Sequence, residues 1–433
     1  MADEKNWIRE AMFYHIYPLG FTGAPLRNEG EATAGGRILE VLDWIEHFKE
    51  LGINAIYFGP IFESVSHGYD TTDYYQTDSR LGSKEDFKKV FTALHENGIR
   101  VIVDGVFNHV GRKFFAFLDV QKNLEQSDYK DWFCNLNFSW QSPLGDSFSY
   151  ENWHGAAELV KLNLRNPAVC EHLLGAVGMW MDELGIDGLR LDAADCVDRE
   201  FFKRLHSFTK GKREDFWLMG EIIHGDYRVW ANDEMLDSVT NYECWKGIYS
   251  SHNDKNYFEI AYSLKRHFGQ GGLYENLCLY NFLDNHDVNR IGSLLKQREN
   301  LKNAYTLLYM MPGIPSIYYG SEWGIEGVKG QGMDADLPLR PKLDLEEMCA
   351  QETDLPAHIR ELAKIRKESD AVKYGAYDEV LVRNKQFVFA RRSGEQYKVI
   401  ALNLTDHAET LHFSYQGKEY EVLLEAYTSK IME

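Results

Sequence analysis

The stretch GLRLDAAD at residues 188–195 decides how this chain folds. It completes a β-strand candidate, 186–191, and ends in charge, with Arg190 and Asp192 two positions apart. Side chains two apart on a strand point the same way, so a cation and a carboxylate leave one strand end together. Three other strings have the same form. DGVFNH at 104–109, LMGEI at 218–222 and FLDNHD at 282–287 each follow or end a run of apolar and β-branched residues, then place carboxylate, His or Asn side chains where the strand would stop. In a parallel (β/α)8 barrel the strand ends converge on one face, so residues distant in sequence share one pocket.

Working outward, eight strand candidates alternate with helical patterns, as a parallel sheet requires. They span 11–19, 53–58, 100–106, 186–191, 216–220, 238–242, 277–283 and 316–319. Amphipathic helices are expected at 38–51 and at 83–98, the latter with Ser83 as N-cap and Gly98 at its stop. The third strand is followed by a long aromatic-rich segment, far beyond an ordinary βα loop, so 110–164 reads as an inserted subdomain. After a last helical pattern at 358–369 the texture becomes alternating strands. The expected fold is therefore α/β: a (β/α)8 TIM barrel over 1–109 and 165–371, the insertion after strand 3, and a small C-terminal antiparallel, β-sandwich-like domain at 372–433.

Composition narrows the function. With 44% hydrophobic and 26% charged residues, the chain has the balance of an ordinary globular protein. A formal charge of -20 repels nucleic acid and anionic membranes but leaves neutral ligands unaffected. The first twenty residues have neither the basic start nor the apolar run of a signal peptide, and no window has the length of a membrane span. Six widely spaced cysteines without a CxxC pair read as reduced thiols of a cytoplasmic protein. Of the many aromatics, most are expected to fill core and interfaces.

Taken together in this order, the four strings resemble the signature regions of the α-amylase family of glycoside hydrolases (family 13). Supporting strings are GINAIYFGPIFES at 52–64, HGYDTTDYYQTD at 67–78, LVKLN at 159–163 and GIPSIYYGSEWG at 313–324. The resemblance implies a retaining hydrolase of α-1,4 bonds in maltooligosaccharides or starch fragments. Asp192 would be the nucleophile that forms a glycosyl enzyme, kept ionised by Arg190, and Glu221 the acid and base, its pKa raised by an apolar approach. The two carboxyls of a retaining pair sit about 5–5.5 Å apart. Asp287 and His286 would grip sugar hydroxyls and stabilise transition-state charge. Asp104 would be the partner of Arg190, His109 a hydroxyl donor, and Tyr69 the aromatic platform under the sugar being cleaved. Asp336 and Arg340 have the spacing of a pair that binds the next sugar outward.

The pattern also departs from the family. Many members hold a structural calcium through an Asn matching Asn108 and a His four residues after the nucleophile; here that later position is Cys196. A thiol suits a hard cation poorly, so no obligatory cofactor is expected, and calcium is left as an alternative. LVKLN resembles the form found in the neopullulanase and cyclomaltodextrinase branch. That branch usually carries an N-terminal β domain and dimerises through it, whereas this chain starts almost at the first strand, so its oligomeric state stays open. Two other readings remain: a transglycosylase or glucosyl isomerase using the same intermediate, and an inactive carbohydrate-binding relative. Retention of all three carboxylates argues against the last.

Overall fold

The computed structural model describes residues 7–29, 36–332 and 334–433. The start of the amino-terminal stretch read for a leader lies outside them. Eight parallel strands form one sheet: β1 (Phe13–Ile16), β2 (Ala55–Phe58), β3 (Arg100–Gly105), β4 (Gly188–Leu191), β5 (Trp217–Gly220), β6 (Ser238–Val239), β7 (Tyr280–Phe282) and β8 (Ile314–Tyr318). Their order is β6-β5-β4-β3-β2-β1-β8-β7, and a parallel bridge between Thr240 and Tyr280 joins the two ends into a barrel. All eight sequence candidates contribute a strand.

Apart from Arg100 at the start of β3, the strands are buried along their length rather than on alternate residues, because helices cover the outside and side chains fill the inside. The alternation survives as two separate cores. Phe13, Ala55, Tyr57, Ile102, Trp217, Met219, Tyr280 and Ile314 pack in one cluster inside the barrel, while Tyr14, Ile56, Phe58, Val101, Val103, Leu189 and Leu218 join the larger cluster under the helices. Register then carries polarity upward. Ile102 pairs with Gly188 and Gly188 with Trp217; two residues on, Asp104 pairs with Arg190 and Arg190 with Met219. The inside of the barrel thus passes from apolar to ionic toward the carboxyl ends of β3 and β4.

The helix Lys84–Glu96 begins as expected, with Ser83 and Asp86 forming a reciprocal capping box, and Gly98 follows it at φ +72°. The other expected helix differs. Residues Arg37–Trp44 form a 3-10 helix that becomes α-helical only at Ile45–Glu50. Its buried residues Ile38, Val41 and Trp44 recur every third position, which matches three residues per turn better than 3.6.

Between β3 and the helix Pro167–Met179, residues His109–Gly111, Asn152–Trp153 and Ala156–Lys161 make a three-stranded antiparallel sheet beside the helix Phe115–Asn123. Phe117, Phe133, Phe148 and Tyr150 pack edge to face beneath it. That small core takes four of the segment's eleven Phe, Tyr and Trp residues.

At the carboxyl end, β9 (Ala376–Val382), β10 (Gln386–Ser393), β11 (Gln396–Asn403) and β14 (Ser429–Met432) form one antiparallel sheet, and β12 (Glu409–Tyr415) with β13 (Lys418–Leu424) a second. Phe387, Phe389, Ile400 and Leu402 face the barrel's core, whereas Val388, Ala390, Val399 and Ala401 face β12 and β13. Strands begin only at Ala376, because a short helix, Asp370–Tyr374, precedes them with Ser369 capping Val372.

Candidate functional site

The ionic layer at the carboxyl ends is organised by Arg190, which is 3% exposed. Its Nη1 lies 2.9 Å from both Asp104 Oδ1 and Asp192 Oδ1, and its Nη2 lies 2.9 Å from Glu221 Oε2. Each carboxylate arrives by the same device, an inward position at the end of its strand. β4 carries Arg190 inward and Asp192 follows two residues later; Glu221 stands two residues after the inward Met219 of β5.

Around this centre the other sequence candidates form a continuous chain of contacts. The hydroxyls of Tyr57 and Tyr69 donate to Asp104 Oδ2 at 2.8 and 3.1 Å. Tyr69 also hydrogen-bonds His286 Nε2, and their rings lie parallel with centroids 5.5 Å apart. His286 Nε2 is 3.0 Å from Asp287 Oδ2. Arg340 Nη2 reaches Asp287 Oδ1 at 3.0 Å and Asp336 Oδ2 at 3.1 Å, and its guanidinium lies over the Tyr17 ring. His109 Nε2 lies 4.0 Å from Asp192 Oδ2. Tyr69, Asp104, His109, Arg190, Asp192, Glu221, His286, Asp287, Asp336 and Arg340 therefore meet in one place.

Electrostatics separates the carboxylates. Burial raises the pKa of Asp192, Arg190 lowers it, and the charges of Glu221, Asp104 and Asp287 raise it again, leaving the carboxyl well above its ordinary range. The expectation that Arg190 keeps Asp192 ionised left out that the guanidinium is shared with Asp104 and Glu221. At Asp287 burial acts in the same direction, but His286, Arg340 and Arg190 outweigh it and hold the carboxyl well below the usual range. Burial, then the neighbouring His67, pushes His109 down to about 3, so its imidazole is neutral near pH 7. The amide of Asn108 lies 3.1 Å from His109 Nδ1; donation there leaves the ring proton on Nε2. That Nε2 has no hydrogen-bond partner among the described residues, and a buried orphan donor beside Asp192 is suited to a ligand hydroxyl.

Several contributors escaped the sequence reading. Glu221 accepts from the Ala193 backbone N–H at 3.1 Å and from the Tyr242 hydroxyl at 3.3 Å, and Tyr242 in turn accepts from Asn285 at 3.0 Å. Ala193 donates from a left-handed conformation, φ 44° and ψ 46°, a strained position for a residue with a Cβ. Tyr57 was discoverable, because it stands two residues after the inward Ala55. Tyr242 was not: it opens a helix beyond a strand of two residues.

The donor set at the position where the family resemblance would put a calcium does not suit a hard cation. Cys196 Sγ lies 3.6 Å from His154 Nε2, and burial followed by the Asp195 charge pushes its thiol up to about 11. A neutral thiol is a poor calcium ligand. Among the described residues no group of three or more His, Cys, Asp and Glu side chains has metal-holding geometry.

Residues 15–340 match the family model described as alpha amylase, catalytic domain. The chain belongs to that family. It is thus a glycoside hydrolase on a (β/α)8 barrel, as the sequence implied. A cyclomaltodextrinase from a Bacillus species is 31% identical over 428 residues, covering 94% of this chain and 74% of its own length. The intracellular maltogenic amylase of Bacillus subtilis is 31% identical over 386 residues, with coverage of 85% and 63%. Among solved structures, the cyclic alpha-maltosyl-(1→6)-maltose hydrolase from Arthrobacter globiformis in its ligand-free form superposes with a TM-score of 0.86 at 26% identity, covering 99% of this chain and 98% of that one. No helix among the described residues is long and apolar enough to cross a membrane.

Proposed function

We propose that this protein hydrolyses α-1,4-glucosidic bonds of maltooligosaccharides or starch fragments with retention of configuration, through a covalent glycosyl enzyme on Asp192. The observation that carries the proposal is the bridging of Asp192 and Glu221 by one guanidinium, at 2.9 Å to each. Two carboxylates on one fork are held close, which favours the about 5–5.5 Å spacing of a retaining pair over the about 6.5–9.5 Å of an inverting pair.

In this mechanism Glu221 delivers a proton to the leaving oxygen while Asp192 attacks the anomeric carbon; Glu221 then takes a proton from water as water displaces Asp192. Tyr242 and the Ala193 N–H hold Glu221 for both steps. Asp287, kept ionised by His286 and Arg340, and His286 bind hydroxyls of the distorted sugar and stabilise its positive charge. His109 donates to a hydroxyl from its orphan Nε2, Tyr69 supports the apolar face of the ring, and Asp104 fixes Arg190. Asp336 and Arg340 bind the next sugar outward. Cyclic glucans join the substrate class because relatives are named for them. The protein works without a bound metal, and a cytoplasmic location is supported by the free state of all six cysteines and by a relative named intracellular.

The test is time-resolved proton NMR of maltoheptaose, and separately of β-cyclodextrin, with the wild type and with Glu221→Gln. Shorter products released first as the α-anomer, and loss of turnover in the variant with binding largely retained, are expected. First release of the β-anomer would refute retention; longer products would move the assignment to transfer; equal rates for the two proteins would refute the role of Glu221.

A further inference from the structure

Beside Asp336 and Arg340 stands a third charged group that the sequence reading did not single out. Lys329 Nζ lies 2.8 Å from Asp336 Oδ1 and 3.5 Å from the backbone carbonyl of Asp287. Arg340 holds the other oxygen of Asp336 and also Asp287 Oδ1. Asp336 is therefore shared between a buried guanidinium, 7% exposed, and a half-exposed ammonium, 47% exposed.

The backbone that carries Lys329 is laced onto the loop after β7. The Lys329 N–H donates to Asn289 Oδ1 at 2.7 Å, the Gly327 N–H donates to Ser293 Oγ at 2.9 Å, and the Arg290 N–H donates to the Gly327 carbonyl at 2.9 Å. A half-exposed ion pair adds little to stability, so structural need does not account for this placement. An ammonium has three N–H donors. Asp336 Oδ1 holds the ammonium as an ion pair, and the Asp287 carbonyl at 3.5 Å is its one hydrogen-bond acceptor among the described residues, so N–H groups remain for a ligand.

The side of the cleft follows from the chemistry. An acid must reach the leaving oxygen, so the leaving group lies toward Glu221. Lys329 and Asp336 contact Asp287 and Arg340 instead, the groups that the proposed function assigns to the sugars that stay with Asp192. We propose that Lys329 determines specificity on this retained side: it fixes Asp336 against Arg340 and donates a hydrogen bond to a hydroxyl of the second retained sugar. The inference rests on the glycosidase reading above.

p-Nitrophenyl α-maltoside and p-nitrophenyl α-glucoside share a leaving group and differ only by the second retained sugar, so the ratio of their kcat/KM values isolates that position. Lys329→Met is expected to lower the maltoside-to-glucoside ratio about tenfold, mainly through KM for the maltoside, as loss of one charge-assisted hydrogen bond would. Lys329→Arg should restore most of it. The maltoside reaction is followed by released maltose as well as by p-nitrophenolate, and thermal unfolding confirms that the variants are folded. An unmoved ratio, or equal falls on both substrates, would overturn the role of Lys329 while leaving the glycosidase reading intact. A wild type inert toward both substrates would remove that reading and this inference with it.

Discussion

His252 offers a measurable link between burial and acid sensitivity, because it lies outside the cleft and its neutral form is fully satisfied. It is 3% exposed near the end of the helix Tyr242–Asn253. Its Nδ1 donates to the Ile248 carbonyl at 2.7 Å, and its Nε2 accepts from the Tyr257 hydroxyl at 3.2 Å. Protonation would break the second bond and bury a charge. Burial accordingly pushes the imidazole down to about 4, against the smaller opposing effect of the Ile248 carbonyl. With the folded value below the unfolded value of about 6.5, the unfolded chain binds the extra proton first as pH falls. Stability is full above about pH 6.5 and declines toward pH 4 at about 1.4 kcal/mol per pH unit. Between pH 7 and pH 5 the contribution is about 2 kcal/mol. Glutamine can keep both hydrogen bonds and cannot titrate. Urea unfolding of the wild type and His252→Gln at both pH values should therefore show the wild type losing about 2 kcal/mol more than the variant. Buried histidines such as His109 act equally in both proteins and cancel in the difference. Parallel losses would refute the assignment of a depressed, buried imidazole.

Other outcomes follow from the same geometry. Asp104→Asn removes one of the charges that raise Asp192, so, with Asp192 as the proposed nucleophile, the acid limb of kcat/KM should move to lower pH. The same substitution breaks a buried pair and should cost about 3–5 kcal/mol of stability by urea unfolding. Gly188→Ala would place a Cβ 2.4 Å from the Trp217 carbonyl oxygen and 2.7 Å from Ile102 Cδ1; overpacking of this kind costs about 1–3 kcal/mol or more, and the melting temperature should fall. Exhaustive chelation should leave maltooligosaccharide hydrolysis unchanged, since Cys196 stands where the family resemblance would put a calcium ligand; loss of activity with rescue by calcium would contradict this.

The strands were legible because each is a short apolar run that ends in a polar residue of inward phase, and that phase is written in the sequence as a two-residue period. Arg190 and Asp192 show it most plainly. The period also marks Tyr57, which lies within the string at 52–64 but was not singled out there as a site residue. Residues 37–44 were misread because apolar spacing of three and of 3.6 diverge little over two turns, and no side chain caps the helix to distinguish them. The helix Asp370–Tyr374 is too short to carry a period at all. The titration of Asp192 was illegible for another reason. Adjacency in sequence revealed its cation, but the competing carboxylates come from β3 and β5, and only closure of the barrel brings them to the same guanidinium.

That sharing gives the pocket its electrostatic character. Asp104, Asp192, Glu221, Asp287 and Asp336 face Arg190, Arg340 and Lys329, so formal carboxylate charge exceeds the cations that hold it. A neutral glucan feels little of this excess, whereas in the proposed mechanism a sugar ring that becomes positive as its bond breaks would be stabilised by it, within walls of low dielectric where such interactions are strong. The raised pKa of Asp192 in the free protein is the other side of the same arrangement. A pocket preorganised to attract positive charge also attracts protons, and Arg190 and Arg340 limit that tendency by tying down the carboxylates nearest to them. Arg340 with His286 keeps Asp287 ionised, while Asp192, whose cation is divided three ways, is left as the group most responsive to charge developing on the substrate.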